Sequence, residues 1–120
     1  MGVTYRDLLV WQRAMDLAEA VYSATQKFPK EEMYGLTSQM RRCSVSVPAN
    51  IAEGHGRNQP KSFAYFLRVA IGSLKELETH ILLAQRFRMI DDTSVNNLLN
   101  ETEEIAKMLH SLIRRQKPSG

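Results

Sequence analysis

An uninterrupted helical repeat of apolar residues in the middle of the chain constrains its fold more than any other feature. Apolar side chains recur there at alternating steps of four and three residues: Phe63, Leu67, Ala70, Leu74, Leu77, Ile81 and Ala84. This spacing places all of them on one stripe of an α-helix that packs against other helices. Pro60 suits the first turn of such a helix, because a backbone N–H has no partner there. The segment from about 60 to 88 is therefore predicted to be a helix.

Three further segments show helical periodicity. They span residues about 5–27, 31–56 and 92–116. The first has two neighbouring apolar stripes, and Thr4 followed by Asp7 resembles a capping box at its start. The second contains Pro48 inside its apolar pattern, so a kink rather than an end is expected there. Asp91 and the residues after it cap the last segment. Nothing alternates with a period of two, so no strand is predicted.

Four helices joined by short turns predict an all-α, antiparallel up-down four-helix bundle in a single domain, residues 1–120. The 120 residues, 43% of them hydrophobic and 24% charged, supply one core and leave too little chain for a second. No run of about 18 apolar residues predicts a membrane span, and the first residues lack the pattern of a signal peptide. A cytoplasmic location without membrane contact is expected.

The charge of the chain is concentrated in its middle. Residues 41–75 contain six basic side chains against the single acid Glu53. The basic residues are Arg41, Arg42, Arg57, Lys61, Arg68 and Lys75. Such a segment favours an anionic partner, nucleic acid above all. The alternative is a solvated face whose charge is balanced by acids elsewhere in the fold.

Residues typical of catalytic or metal sites do not form a known sequence pattern. Glu76 precedes His80 by four residues, whereas di-iron bundles need a spacing of three. Cys43 is the single cysteine, so neither an internal disulfide nor a multi-cysteine zinc site can form. Its place on an apolar stripe indicates a small core residue. We therefore expect no catalytic residue, no metal and no cofactor.

A polar stripe runs along the second predicted helix. It consists of Gln39, Arg42, Ser46, Asn50, Glu53 and Arg57. Glu53 and Arg57 are spaced for an ion pair one turn apart, and Asn50 can fix the register of a helix contact. Gly72 and Ser73 on the third helix are small enough to let another backbone approach closely. One interpretation is a contact between helices or subunits through Gln39, Ser46, Asn50, Glu53, Gly72 and Ser73. The other is that the arginines contact phosphates.

Several motifs along the chain match the pattern of one protein family. They are Leu8-x-Val10-Trp11-Gln12-x-Ala14-Met15, Phe28-Pro29-x-Glu31-Glu32, Gly35-Leu36-x-x-Gln39-x-x-Arg42, Ser46-Val47-Pro48-Ala49-Asn50-Ile51-Ala52-Glu53-Gly54-x-Gly56-Arg57 and Gly72-Ser73-x-x-Glu76-Leu77-Glu78-Thr79. In these residues the chain resembles the ribosomal-protein-like four-helix bundle proteins encoded in 23S rRNA intervening sequences. The run from Ser46 to Arg57 is the most specific. Cys43 stands where the family usually has alanine.

The resemblance implies a ring-like homopentamer of up-down bundles. A related branch, the accessory variability protein of diversity-generating retroelements, binds nucleic acid and a reverse transcriptase through a basic pentamer surface. The leading hypothesis is therefore a non-enzymatic oligomer that associates with RNA or a ribonucleoprotein. The residues expected to contact phosphates are Arg41, Arg42, Arg57, Lys61 and Arg68. The alternative is a protein-interaction scaffold, for example accessory to a reverse transcriptase, without direct nucleic-acid binding.

Overall fold

Four α-helices make up most of the computed structural model, which describes residues 3–116. They are α1 (Leu9–Thr25), α2 (Leu36–Gly56), α3 (Pro60–Arg86) and α4 (Asp92–Arg114), with short 3-10 helices at Tyr5–Asp7 and Lys30–Glu32. The described residues contain no strand, so the predicted all-α fold with four helices is confirmed. Each helix packs against the next, and α1 also packs against α4. None of the helices in this part of the chain has an apolar stretch long enough to cross a membrane.

The start of the chain differs from the predicted helix over residues 5–27. The Thr4 hydroxyl accepts a hydrogen bond from the Arg6 N–H at 3.2 Å, and the Asp7 carboxylate accepts one from the Thr4 N–H at 3.1 Å. The predicted capping box is therefore present, but it caps the 3-10 helix. Leu8 has extended backbone angles, which separates this turn from α1.

The helix α2 runs through Pro48 and ends at Gly56. Asn58 follows with a φ of 58°, a left-handed conformation that asparagine tolerates better than most residues. Pro60 then occupies the first turn of α3, as predicted. This tight connection brings α2 and α3 into contact along much of their length.

The core is formed by the stripes that the periodicity predicts. All seven residues of the α3 stripe are buried, and so are four members of one apolar stripe on α1 and five members of the stripe on α4. The α1 and α4 residues are Val10, Ala14, Leu17, Val21, Val95, Leu98, Thr102, Ile105 and Leu109. Two members of the second apolar stripe of α1, Met15 and Tyr22, are exposed, whereas Leu8 and Trp11 are half-buried against the core. Part of the apolar surface of α1 therefore has no partner within the described chain.

Asp91 caps α4, and this cap makes the stability of the helix depend on pH. Its carboxylate accepts a hydrogen bond from the Ser94 N–H at 2.7 Å. The Ser94 backbone hydrogen bond holds the pKa of Asp91 below its ordinary value. Because the folded-state pKa is the lower one, the carboxylate stabilises the fold above the unfolded pKa of about 3.9. That contribution is lost as the pH falls through the folded-state pKa.

We expect Asp91→Ala to lower the melting temperature at pH 7, because the Ser94 N–H loses its charged acceptor. The difference from wild type should shrink when both proteins are melted at a pH below the folded-state pKa. Thr93→Ala is the matched control, since no side-chain hydrogen bond of Thr93 is found within residues 3–116. A difference between Asp91→Ala and wild type that stays the same at both pH values would contradict this account of the cap.

Candidate nucleic-acid interface

The five basic residues expected to contact phosphates fall into two groups in the structure. Arg42, Lys61 and Arg68 are exposed, and none of them forms an ion pair with another residue of the range 3–116. Arg41 and Arg57 make specific contacts with other side chains. Only part of the positive charge of residues 41–75 is therefore available to contact a ligand.

Arg41 joins α2 to the end of α1. Its Nε donates a hydrogen bond to the Thr25 hydroxyl at 2.8 Å, and its guanidinium carbon lies 4.6 Å from the centre of the Tyr22 ring. The Thr25 hydroxyl in turn donates to the carbonyl of Val21 at 2.8 Å. A guanidinium held over an aromatic ring in this way gains cation–π as well as hydrogen-bond energy. Arg41 thus has a structural contact that its position in the sequence does not reveal.

Arg57 lies at the end of α2 and reaches over α3. Its guanidinium forms the predicted ion pair with the Glu53 carboxylate, with Nη2 and Oε2 3.0 Å apart. The guanidinium carbon also lies 5.1 Å from the centre of the Phe66 ring. Because both charged side chains are more than half exposed, the pair adds little to stability. Its effect is to position the Arg57 guanidinium beside the first two turns of α3.

An exposed aromatic ring lies between two exposed basic residues on α3. Lys61, Tyr65 and Arg68 follow each other at steps of four and three, so they share one side of the helix. Tyr65 is 60% exposed and packs edge-on against Phe66, with ring centres 5.2 Å apart. We refer to Arg57, Lys61, Tyr65 and Arg68 as the basic–aromatic patch.

Charge alone does not select Tyr65, so it was not among the predicted residues. The signal that could have found it is an aromatic residue at helical spacing from both Lys61 and Arg68. Arg42 lies outside the patch, on an earlier turn of α2. Two of the five predicted basic residues, Lys61 and Arg68, therefore flank Tyr65 on one side of α3, and Arg57 contacts Phe66, the ring next to Tyr65.

The polar stripe of α2 supplies a hydrogen-bonded contact with α3. The hydroxyls of Ser46 and Ser73 are 2.8 Å apart. The Asn50 amide donates to the Ser46 hydroxyl at 2.9 Å and to the Ser46 carbonyl at 2.8 Å. The Ser46–Ser73 hydrogen bond therefore links the two helices, as one of the two interpretations of the stripe expects, and Asn50 binds Ser46 within α2.

The other candidate contact residues have different surroundings. Gln39 and Arg42 line an open cavity of about 410 Å³. Gly72 is exposed, and a Cβ built on it would have no heavy atom of the described chain within 4 Å. The close helix approach is found instead at Gly54, where a Cβ would lie 2.6 Å from the Phe66 Cβ.

Cys43, Glu76 and His80 meet where α2 packs on α3. Burial, and after it the Glu76 carboxylate, raises the pKa of the Cys43 thiol to about 12. The Nε2 atom of His80 lies 3.5 Å from Oε2 of Glu76. Sequence spacing gave no sign of this cluster, because the cysteine comes from α2 and the other two residues come from α3.

Comparisons with known proteins give a family match and a solved structure of similar fold. Residues 6–111 match a family model described as 23S rRNA-intervening sequence protein. No curated protein matches the chain. The chain is similar to a crystal structure from Bacteroides thetaiotaomicron VPI-5482, a protein with unknown function from the S23 ribosomal protein family. The identity is 23%, the TM-score is 0.78, and the match covers 88% of this chain and 98% of the other. At this identity the likeness shows the fold alone.

Proposed function

Because the chain belongs to the 23S rRNA-intervening sequence protein family, we propose that it is a non-enzymatic helical bundle that associates with RNA or a ribonucleoprotein. The contact surface is the basic–aromatic patch, with Arg42 as a further positive charge on α2. The observation that carries this proposal is the exposed Tyr65 ring between Lys61 and Arg68 on one side of α3.

The two kinds of side chain in the patch suit the two chemical parts of RNA. Lysine and arginine neutralise phosphates and release condensed counterions, which supplies affinity without sequence preference. Unpaired bases in loops stack on exposed aromatic rings and on guanidinium planes. Tyr65 offers such a ring, and the ion pair with Glu53 positions the Arg57 guanidinium nearby. Structured RNA with an exposed loop fits this surface best.

The assembly that we propose is a ring-like homopentamer of antiparallel up-down bundles in the cytoplasm. Support comes from large apolar side chains that are exposed on α1 and α3. They include Leu9, Met15, Tyr22, Leu82 and Leu83. Subunit contacts would cover such residues, which a monomer leaves in water. A ring also repeats the patch, so that a modest charge per chain sums to a stronger field.

A protein-interaction scaffold, for example accessory to a reverse transcriptase, is the second candidate function. It is favoured by a largely apolar groove of about 490 Å³ between α1 and α2, whose lining includes Met15, Tyr22, Val45 and Pro48. A partner protein or a second subunit could occupy this groove. A scaffold of this kind needs no nucleic-acid binding, so it predicts no affinity for RNA even at low salt.

The double variant Lys61→Ala/Arg68→Ala tests the RNA hypothesis. Loss of two phosphate contacts at about 1 kcal/mol each should weaken binding of a structured rRNA fragment about thirtyfold at low salt. Affinity is measured by filter binding. The matched control is Lys27→Ala/Lys30→Ala, which removes the same charge from exposed positions near the α1–α2 connection. No binding by the wild-type protein, or an equal loss in both double variants, would contradict the proposal.

A further inference from the structure

We propose that Cys43, Glu76 and His80 form a binding site for a Zn²⁺ ion between α2 and α3. Each residue offers one ligand atom, and the three atoms all lie within 4.8 Å of one another. No other group of three or more potential metal ligands is found within residues 3–116. A thiolate, an imidazole and a carboxylate are the donors that zinc uses in proteins. This site is independent of RNA association and uses none of the residues of the basic–aromatic patch.

His80 gives the first argument, because both nitrogens of its ring are buried and neither makes a hydrogen bond to another described residue. Neither Nδ1 nor Nε2 has a hydrogen-bond partner within the described part of the chain. The Nε2 atom is 3.5 Å from the Glu76 carboxylate, but this contact does not meet hydrogen-bond geometry. Buried polar atoms in native proteins are nearly always paired, and an unpaired one calls for an explanation. A metal ion bound by one ring nitrogen of His80 supplies the missing interaction of that nitrogen.

The helices hold the three ligands in place. Glu76 and His80 are four residues apart on α3, so their side chains emerge on the same side, one turn from each other. Cys43 is buried on α2, and the Ser46–Ser73 hydroxyl contact joins the two helices nearby. A site built on two packed helices keeps its geometry better than one built on loops.

A cavity beside two of the three ligands offers an entry path for the ion. The cavity of about 410 Å³ that Gln39 and Arg42 line is bordered by Cys43 and Glu76 as well. The Glu76 side chain is 57% exposed, so an ion can reach the carboxylate from solvent. Zinc with three protein ligands takes water as the fourth. On binding, the Cys43 thiol gives its proton to solvent, and the thiolate and carboxylate then balance the charge of the ion.

Titration of the full-length protein with Co²⁺ and Zn²⁺ tests the proposal. After treatment with a chelator, the protein should bind one Co²⁺ per chain and show a thiolate-to-cobalt charge-transfer band that Zn²⁺ abolishes. Cys43→Ser and His80→Gln should each weaken Zn²⁺ binding at least tenfold, since even outer-shell changes cost about that much. The matched control is His110→Gln, which changes an exposed histidine on α4.

Circular dichroism and thermal unfolding distinguish a lost metal ligand from a variant that does not fold. Far-ultraviolet circular dichroism shows whether each variant keeps its helices, and Cys43→Ser alone carries the test if His80→Gln does not fold. Zn²⁺ should raise the melting temperature of the wild-type and His110→Gln proteins but not that of Cys43→Ser. Absence of the charge-transfer band in wild type would overturn the proposal. Equal Zn²⁺ affinity in Cys43→Ser, His110→Gln and wild type would overturn it as well.

Discussion

Leu77→Ala should lower the free energy of unfolding by about 2–5 kcal/mol. Leu77 is 0% exposed and lies on the apolar stripe of α3, which faces the core shared with the other helices. Truncation removes buried methyl groups and leaves a cavity that the surrounding helices fill only in part. Such a loss is a large share of the stability of a small domain. Urea unfolding followed by circular dichroism measures it.

Leu82→Ala on the same helix is the matched control. Leu82 is 44% exposed, so its truncation should change stability by about 0.5 kcal/mol or less in the isolated chain. An equal loss at both positions would contradict the assignment of the buried face of α3. If the loss of stability caused by Leu82→Ala increases with protein concentration, Leu82 lies in a subunit contact, as the proposed ring expects.

Gly54→Ala should destabilise the protein by about 1–3 kcal/mol, the usual cost of overpacking. The new Cβ would lie 2.6 Å from the Phe66 Cβ and 3.1 Å from Phe63 Cδ1. These atoms belong to buried or half-buried side chains near the start of α3, so α2 and α3 must move apart to make room. Alanine favours a helix by about 1 kcal/mol over glycine. A net loss of stability in Gly54→Ala would therefore mean that the packing cost outweighs this gain.

Gly72→Ala separates these two effects. The same Cβ at Gly72 meets no heavy atom of the described chain within 4 Å, so only the gain in helix propensity remains. We expect this variant to be more stable than wild type by about 0.5–1 kcal/mol. Thermal unfolding of both variants measures the contrast. A Gly54→Ala protein as stable as Gly72→Ala would contradict the close contact between α2 and α3.

The helices could be predicted from the sequence because each one carries its own periodic signal. The stripe of α3 identifies its buried face, since burial on one side of a helix requires apolar residues at that spacing. The Thr4–Asp7 capping box was predicted correctly as a cap. Its hydrogen bonds satisfy the first N–H groups equally well in a 3-10 turn, so the pattern did not show that α1 begins only at Leu9.

Contacts between helices were harder to predict. Of the two residues where the sequence predicted a close approach, Ser73 contacts Ser46 of α2, whereas a Cβ on Gly72 would have no heavy atom of the described chain within 4 Å. The tightest glycine of the described residues is Gly54. Register and rotation between two helices result from many interlocking side chains, and the pattern of one helix does not contain them. For the same reason, the contact of Arg41 with Thr25 could not be predicted from the sequence. The proximity of Cys43 to Glu76 and His80 of α3 could not be predicted either.

The salt dependence of RNA binding tests the central claim, that the basic–aromatic patch contacts phosphates, most directly. The affinity of wild type and of Lys61→Ala/Arg68→Ala for one structured rRNA fragment is measured over a series of salt concentrations. The logarithm of the association constant should fall linearly with the logarithm of salt concentration. The slope for the double variant should be shallower by about 2, one for each phosphate contact removed. Equal slopes for the two proteins would contradict the claim.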